Sequence, residues 1–315
     1  SDGNAAIPII WGTDAVHGHN NIVGATIFPH NIGLGAANNA NLMYQIGTVT
    51  AKELLATGLD WTFAPTIAVV RDDRWGRTYE SYSEDPAIVR EYAGYLVEGI
   101  QGKLSDNTFL DEDHLIATAK HFIGDGGTID GRDQGDNISS EEDLRDIQGA
   151  GYPVAINRGV QSVMASFNSW HGRKMHDYKE LLDDVLVDQM GFDGFVIGDW
   201  NGHGQVEGCT NVSCASSFNN GLDMFMAPDS WRGLYLNTLA QVESGEISMA
   251  RLDQAIGRIL RVKIRAGLFE AGLPSERKYA GRFDLLAAPE HRALARKAVR
   301  QSLVLIKNAN QLLPL

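Results

Sequence analysis

Asp199 closes the run GFVIGDW (194–200), in which apolar and small residues lead straight into a carboxylate and a tryptophan. A dry strand tolerates no unpaired charge, so Asp199 belongs where the strand leaves the core, at the mouth of a cleft. The pattern recurs along the chain. Asp14 and His17 follow IPIIW (7–11), and Arg74, Arg77, Glu80 and Asp85 follow WTFAP (61–65). Lys120, His121 and Asp125 follow LIATA (115–119); Phe167, Asn168 and Trp170 follow SVMAS (162–166); Trp200 stands beside Asp199. Carboxylates, cations and aromatic rings gathered at one rim suit a carbohydrate. Charged groups make paired hydrogen bonds with neighbouring hydroxyls, and ring faces pack on sugar C–H groups. No ligand spacing at this rim supplies a metal set, so neither metal nor cofactor is expected.

The elements that would position these residues can be read from the same runs. A sixth apolar run, LDMFM (222–226), completes the series, and helical patterns lie between and after the runs at 41–58, 87–102, 179–190 and 248–268. Residues 89, 93, 96 and 100 mark one helix face; Ser248 is the expected N-cap of the last helix, with Gly267 near its end. Strands apolar throughout and alternating with helices predict a parallel sheet covered on both faces. About six such units in 315 residues suit an α/β, TIM-like (β/α) barrel better than an open sheet. In such a barrel the chemistry sits at the carboxyl ends of the strands.

Composition narrows the partners. With 40 acidic against 27 basic side chains the formal charge is −13, which disfavours nucleic acid and anionic membrane surfaces. No apolar run approaches the roughly 20 residues of a membrane span, so no membrane insertion is expected. Cys209 and Cys214, in GCTNVSCASS, are either two thiols or a short disulfide. The disulfide is favoured, and it implies an oxidising, periplasmic or secreted location.

From about residue 7 to 315 the chain resembles glycoside hydrolase family 3, the β-glucosidase and exo-β-glucanase family. WGTDAVHG, RDDRWGRTYESYSEDP, AKHFIGDGGT, ASFNSWHGRKMH, GFVIGDW and GLDMFMAP resemble its signatures, in its order. The resemblance implies a partial barrel catalytic domain over 1–270, incomplete at its N-terminus. It implies a linker and the start of an α/β sandwich domain over 271–315, the rest of that domain being absent. It implies exo-acting hydrolysis of β-glucosides with retained configuration, through a covalent glycosyl-enzyme on Asp199. Asp14, Arg77, Lys120 and His121 match residues that grip the terminal sugar, and Trp200 matches a wall of the leaving-group cleft. Phe167 stands where the family often has tyrosine, which puts that position's hydrogen bond in doubt, while ESYSED reads as a scaffold. The general acid/base is expected to be a glutamate of the missing domain, itself an expected partner alongside β-glucan oligosaccharides or β-glucosides. The N-acetylglucosaminidase branch carries a histidine in the loop after its Lys-His-Phe motif, and KHFIGDGGTIDGRDQGD has none beyond His121. The alternatives are that activity, a β-xylosidase, a non-catalytic carbohydrate-binding relic, or a Schiff-base aldolase using Lys120.

Overall fold

The computed structural model describes residues 6–311 and Leu313. Strand β1 (Gly12–Thr13) pairs in parallel with β2 (Trp61–Thr62). Strand β3 (Thr118–Phe122) pairs in parallel with β5 (Ser162–Ala165), and β5 with β8 (Phe195–Ile197). Single parallel bridges, Trp61 to Ile116, Thr66 to Lys120 and Ile197 to Met224, join these pieces into one barrel-like arc. All residues of β3, β5 and β8 are buried, as a sheet covered on both faces requires. Trp61 meets Phe195 edge-on at 5.4 Å across the arc. Among the described residues no pairing joins β1 to Met224, so the arc is open there.

Helices cover the outside: α1 (Asn31–Ala37), α2 (Ala40–Ala56), α3 (Pro86–Gln101), the one-turn α4 (Glu141–Asp143), α5 (Tyr152–Asn157) and α6 (Ala215–Asn219). After them come α7 (Trp231–Glu243), α8 (Met249–Arg265) and α9 (Pro289–Gln301), while Glu180–Gln189 is wound as a π-helix. Local chemistry fixes the ends. The side chain of Asn39 accepts from Leu42 N, that of Asp85 from Ala87 N ahead of Pro86, and that of Ser248 from Arg251 N, satisfying amide groups the first turn leaves open. Helices α2 and α3 approach closely because glycines meet: a Cβ on Gly99 would lie 2.3 Å from Tyr44 O. No helix among the described residues is long and apolar enough to cross a membrane.

Four features differ from the sequence reading. IPIIW is not a strand: Ile7, Ile9 and Trp11 are exposed, and pairing begins only at Gly12. LDMFM contributes one bridge, at Met224. Helix α7 went unread because Trp231, Tyr235, Leu236 and Leu239 are exposed, which blurs the contrast between faces that periodicity relies on. A small sheet was also unforeseen: β4 (Asp136–Asn137) lies parallel to β6 (Ser169–Trp170), which forms a hairpin with β7 (Arg173–Lys174).

The segment after α8 returns to the barrel's outer helices. Arg277 forms an ion pair with Asp60, Ala298 of α9 is fully buried, and His291 Nδ1 lies 2.8 Å from the buried Glu53. Beyond α9, Leu303, Val304, Leu305 and Ile306 are all exposed.

Candidate active site

The side chains expected at the rim arrive from separate strands. Asp14 follows β1, and its half-exposed carboxylate accepts a 2.7 Å hydrogen bond from Lys120 Nζ. Lys120 is a buried residue within β3. Its neighbour His121 also reaches the cluster, although successive side chains of a strand normally point apart. A bulge explains this. Met164 pairs with Lys120 but Ala165 pairs with Phe122, so His121 drops out of the ladder and its side chain is re-aimed.

Both ring nitrogens of His121 are engaged, Nδ1 at 2.8 Å from Asp125 Oδ2 and Nε2 at 2.9 Å from Arg77 Nη2. An arginine only donates, so Nε2 accepts and the ring proton sits on Nδ1, directed at Asp125. Arg77 is aimed by Glu80, to whose two oxygens Nε and Nη2 donate at 2.8 and 3.0 Å. Burial works to raise the Glu80 pKa, but the Arg77 guanidinium overrides it and holds the carboxyl at about 2. Arg74 lies outside this cluster and pairs with Asp72 in its own exposed loop at 2.6 Å.

Asp199, 9% exposed at the end of β8, is neither enclosed in hydrocarbon nor open to bulk water. Its Oδ2 lies 3.7 Å from His121 Nε2. Its Oδ1 accepts from Trp200 N at 2.6 Å, and its own backbone N–H donates to His176 Nε2 at 2.9 Å. His176 is fully buried; burial and, second, the neighbouring His203 push its pKa down to about 3. Trp200 stands at the rim, 57% exposed. Phe167 does not join the charged cluster. Its half-buried ring lies 6.1 Å from that of His176, and its carbonyl accepts from Lys174 Nζ at 2.8 Å.

Cys209 and Cys214 form a disulfide. The closed loop is docked by His203 Nε2, which donates to Asn211 O at 3.0 Å, and by Asn237 Nδ2, which donates to Val212 O at 2.7 Å. Two cavities of about 450 and 490 Å³ lie elsewhere, one against the strands' amino-terminal ends and one outside the barrel, and no residue of the charged cluster lines either.

Sequence reasoning placed Asp125 at the rim but gave it no role, since nothing pairs it with His121 until the bulge turns the ring. It missed His176, which carries no signal beyond its place in GRKMH because its partner is a backbone amide.

An arc of parallel strands inside a helical coat, with acids and bases clustered where the strands end, defines a TIM-type α/β barrel domain. Residues 1–262 match the model of the glycosyl hydrolase family 3 N terminal domain, and the chain belongs to that family. It is 57% identical to the exo-1,3/1,4-beta-glucanase of a Pseudoalteromonas species, covering 98% of this chain and 39% of that one, with a TM-score of 0.96. A beta-glucosidase from Listeria innocua in complex with laminaribiose is 32% identical, covering 98% of this chain and 42% of that one, with a TM-score of 0.88. The periplasmic beta-glucosidase of Salmonella typhimurium is 32% identical over 319 residues, 98% of this chain and 40% of that protein. The chain thus spans about two-fifths of the length of these relatives.

Proposed function

We propose that the chain forms the catalytic barrel of an exo-acting, configuration-retaining β-glucoside hydrolase in which Asp199 attacks the anomeric carbon. One observation carries this reading: Asp199 leaves β8 beside His121, in a network that also holds Arg77, Glu80 and Asp125. Retention requires an ionised carboxylate on one face of the sugar and a proton donor across the bond, about 5–5.5 Å away. Asp199 forms the bond to C1 as the leaving oxygen departs with a proton. Water, deprotonated by the same acid/base group, then releases the sugar.

Asp14 and Lys120, paired at the mouth, and Arg77 and His121, deeper in, are placed to exchange hydrogen bonds with the hydroxyls of one terminal sugar. Trp200 offers an exposed ring to the departing group. The other rim carboxylates are engaged, Asp14 by Lys120, Glu80 by Arg77 and Asp125 by His121. The Arg77 pairing holds Glu80 ionised, against the protonated state a general acid needs. This supports a donor outside the rim, a glutamate of a further α/β domain beginning in 271–315, for which exposed Leu303–Ile306 would supply an edge. The hydrogen bond from Lys120 Nζ to Asp14 disfavours a Schiff-base role, which needs the amine free. The similar proteins named above favour β-glucosides and β-1,3- or β-1,4-glucan oligosaccharides over N-acetylglucosaminides. The disulfide supports an oxidising compartment.

Proton NMR of the first sugar released from an aryl β-glucoside tests the proposal. The β-anomer is expected first, and Asp199→Asn is expected to abolish release. Initial α-anomer, or an active Asp199→Asn protein, contradicts the reading.

A further inference from the structure

The Asp199 carboxylate sits where β8 ends, and its line of attack depends on that turn holding still. A strand terminus entering a loop is free to shift, and reacting atoms tolerate little: a misplacement of about 1 Å costs on the order of 100-fold in rate. The buried imidazole behind this turn is the only side chain given a hydrogen bond by the Asp199 backbone N–H among the described residues.

We propose that His176 is the positioning residue for Asp199, a buried acceptor and template on which residues 198–202 are folded. This rests on Asp199 being the attacking carboxylate. His176 Nε2 accepts the Asp199 N–H at 2.9 Å. The turn is moulded to the ring on both sides. A Cβ on Gly198 would lie 3.3 Å from His176 Cδ2 and Nε2, and one on Gly202 would lie 2.3 Å from Cε1 and Nε2. The second distance admits no side chain without displacing the imidazole.

The backbone that carries the ring is held from behind. The β6–β7 hairpin carries it on the turn Met175–Asp177, whose Met175 N donates to Asn168 O at 3.1 Å and whose Asp177 Oδ1 accepts from Asn220 Nδ2 at 2.8 Å. With the backbone fixed by His176 and Oδ1 occupied by Trp200 N, Oδ2 is the oxygen left facing His121. The small sheet thereby acquires a purpose the barrel alone does not give it.

The sugar is gripped by Asp14, Arg77, Lys120 and His121, none of which bonds His176. Loss of His176 should therefore lower the rate of attack and spare glucose affinity. The test uses the protein at its native length, with a 2-deoxy-2-fluoroglucosyl fluoride as probe, measuring the labelling rate, the labelled peptide and the inhibition constant of glucose. His176→Leu should label about 100-fold more slowly with the glucose constant within about 3-fold of wild type. His176→Gln, whose amide oxygen can stand near Nε2, should recover to within about 10-fold. Gly202→Ala should slow labelling in the intact ring, yet add nothing to His176→Ala, since the methyl then fills the vacated space. Wild-type labelling by His176→Leu, equal losses in labelling and glucose binding, or no recovery with glutamine overturns the proposal while leaving Asp199 in place. A wild-type label on a different residue overturns the proposed function and this inference together.

Discussion

Replacing Glu80 with glutamine removes the charge that aims Arg77, and the structure sets the size of the effect. The Glu80 carboxyl is held at about 2 against an ordinary 4.5, and the residue is buried. At about 1.4 kcal/mol per pH unit the native state gains about 3 kcal/mol from ionised Glu80 near neutral pH. Unfolding entropy of about 2.1 cal/mol/K per residue converts this into a Tm about 4–5 °C lower for Glu80→Gln at pH 7. A group whose folded pKa is depressed stabilises above its unfolded value and loses that contribution as pH falls through the folded one. The gap between wild type and variant should therefore narrow to about 1–1.5 kcal/mol at pH 3 and nearly close at pH 2. Calorimetry or circular dichroism melts across that range supply the comparison. A gap that stays constant from pH 7 to pH 3 would refute the ionic account and leave only lost packing. Because Arg77 also donates to His121, the same variant should raise KM for aryl glucosides even at temperatures where it is fully folded.

Asp14→Asn keeps an acceptor but removes the charge opposite buried Lys120, and it should raise KM about 10- to 100-fold; an unchanged KM in steady-state kinetics means that Asp14 does not touch the sugar. Cys209→Ser with Cys214→Ser opens a loop closed over a separation of five residues, worth about 2 kcal/mol by chain entropy. Reducing agent should lower the wild-type Tm by about 3 °C and leave the double variant unmoved; equal responses place the bond outside the stability of the fold.

The strand-and-helix alternation and the strand-end rim were legible because burial on both faces writes itself into composition. Phe195-Val196-Ile197 and Ser162-Val163-Met164-Ala165 have no polar side chain larger than a serine. The last barrel helix was equally open to reading, since Ser248 announces its first turn, whereas Asp85, read as a rim residue, caps α3 instead. What escaped depended on contacts distant in sequence. The His121 orientation comes from a register shift against β5, and the β6–β7 hairpin is too short to show alternation. His176 acts through a backbone amide 23 residues away, which no side-chain pattern records. Exposed Trp231 and Tyr235 concealed α7 in the opposite manner, by being apolar where a solvent face is expected.

The most direct measurement is the mass of peptides from the native-length protein after reaction with a 2-deoxy-2-fluoro β-glucoside. One fluoroglucosyl adduct is expected, on the peptide containing Asp199 and absent from Asp199→Ala. An adduct elsewhere, or hydrolysis of ordinary glucosides with no adduct under any condition, contradicts it.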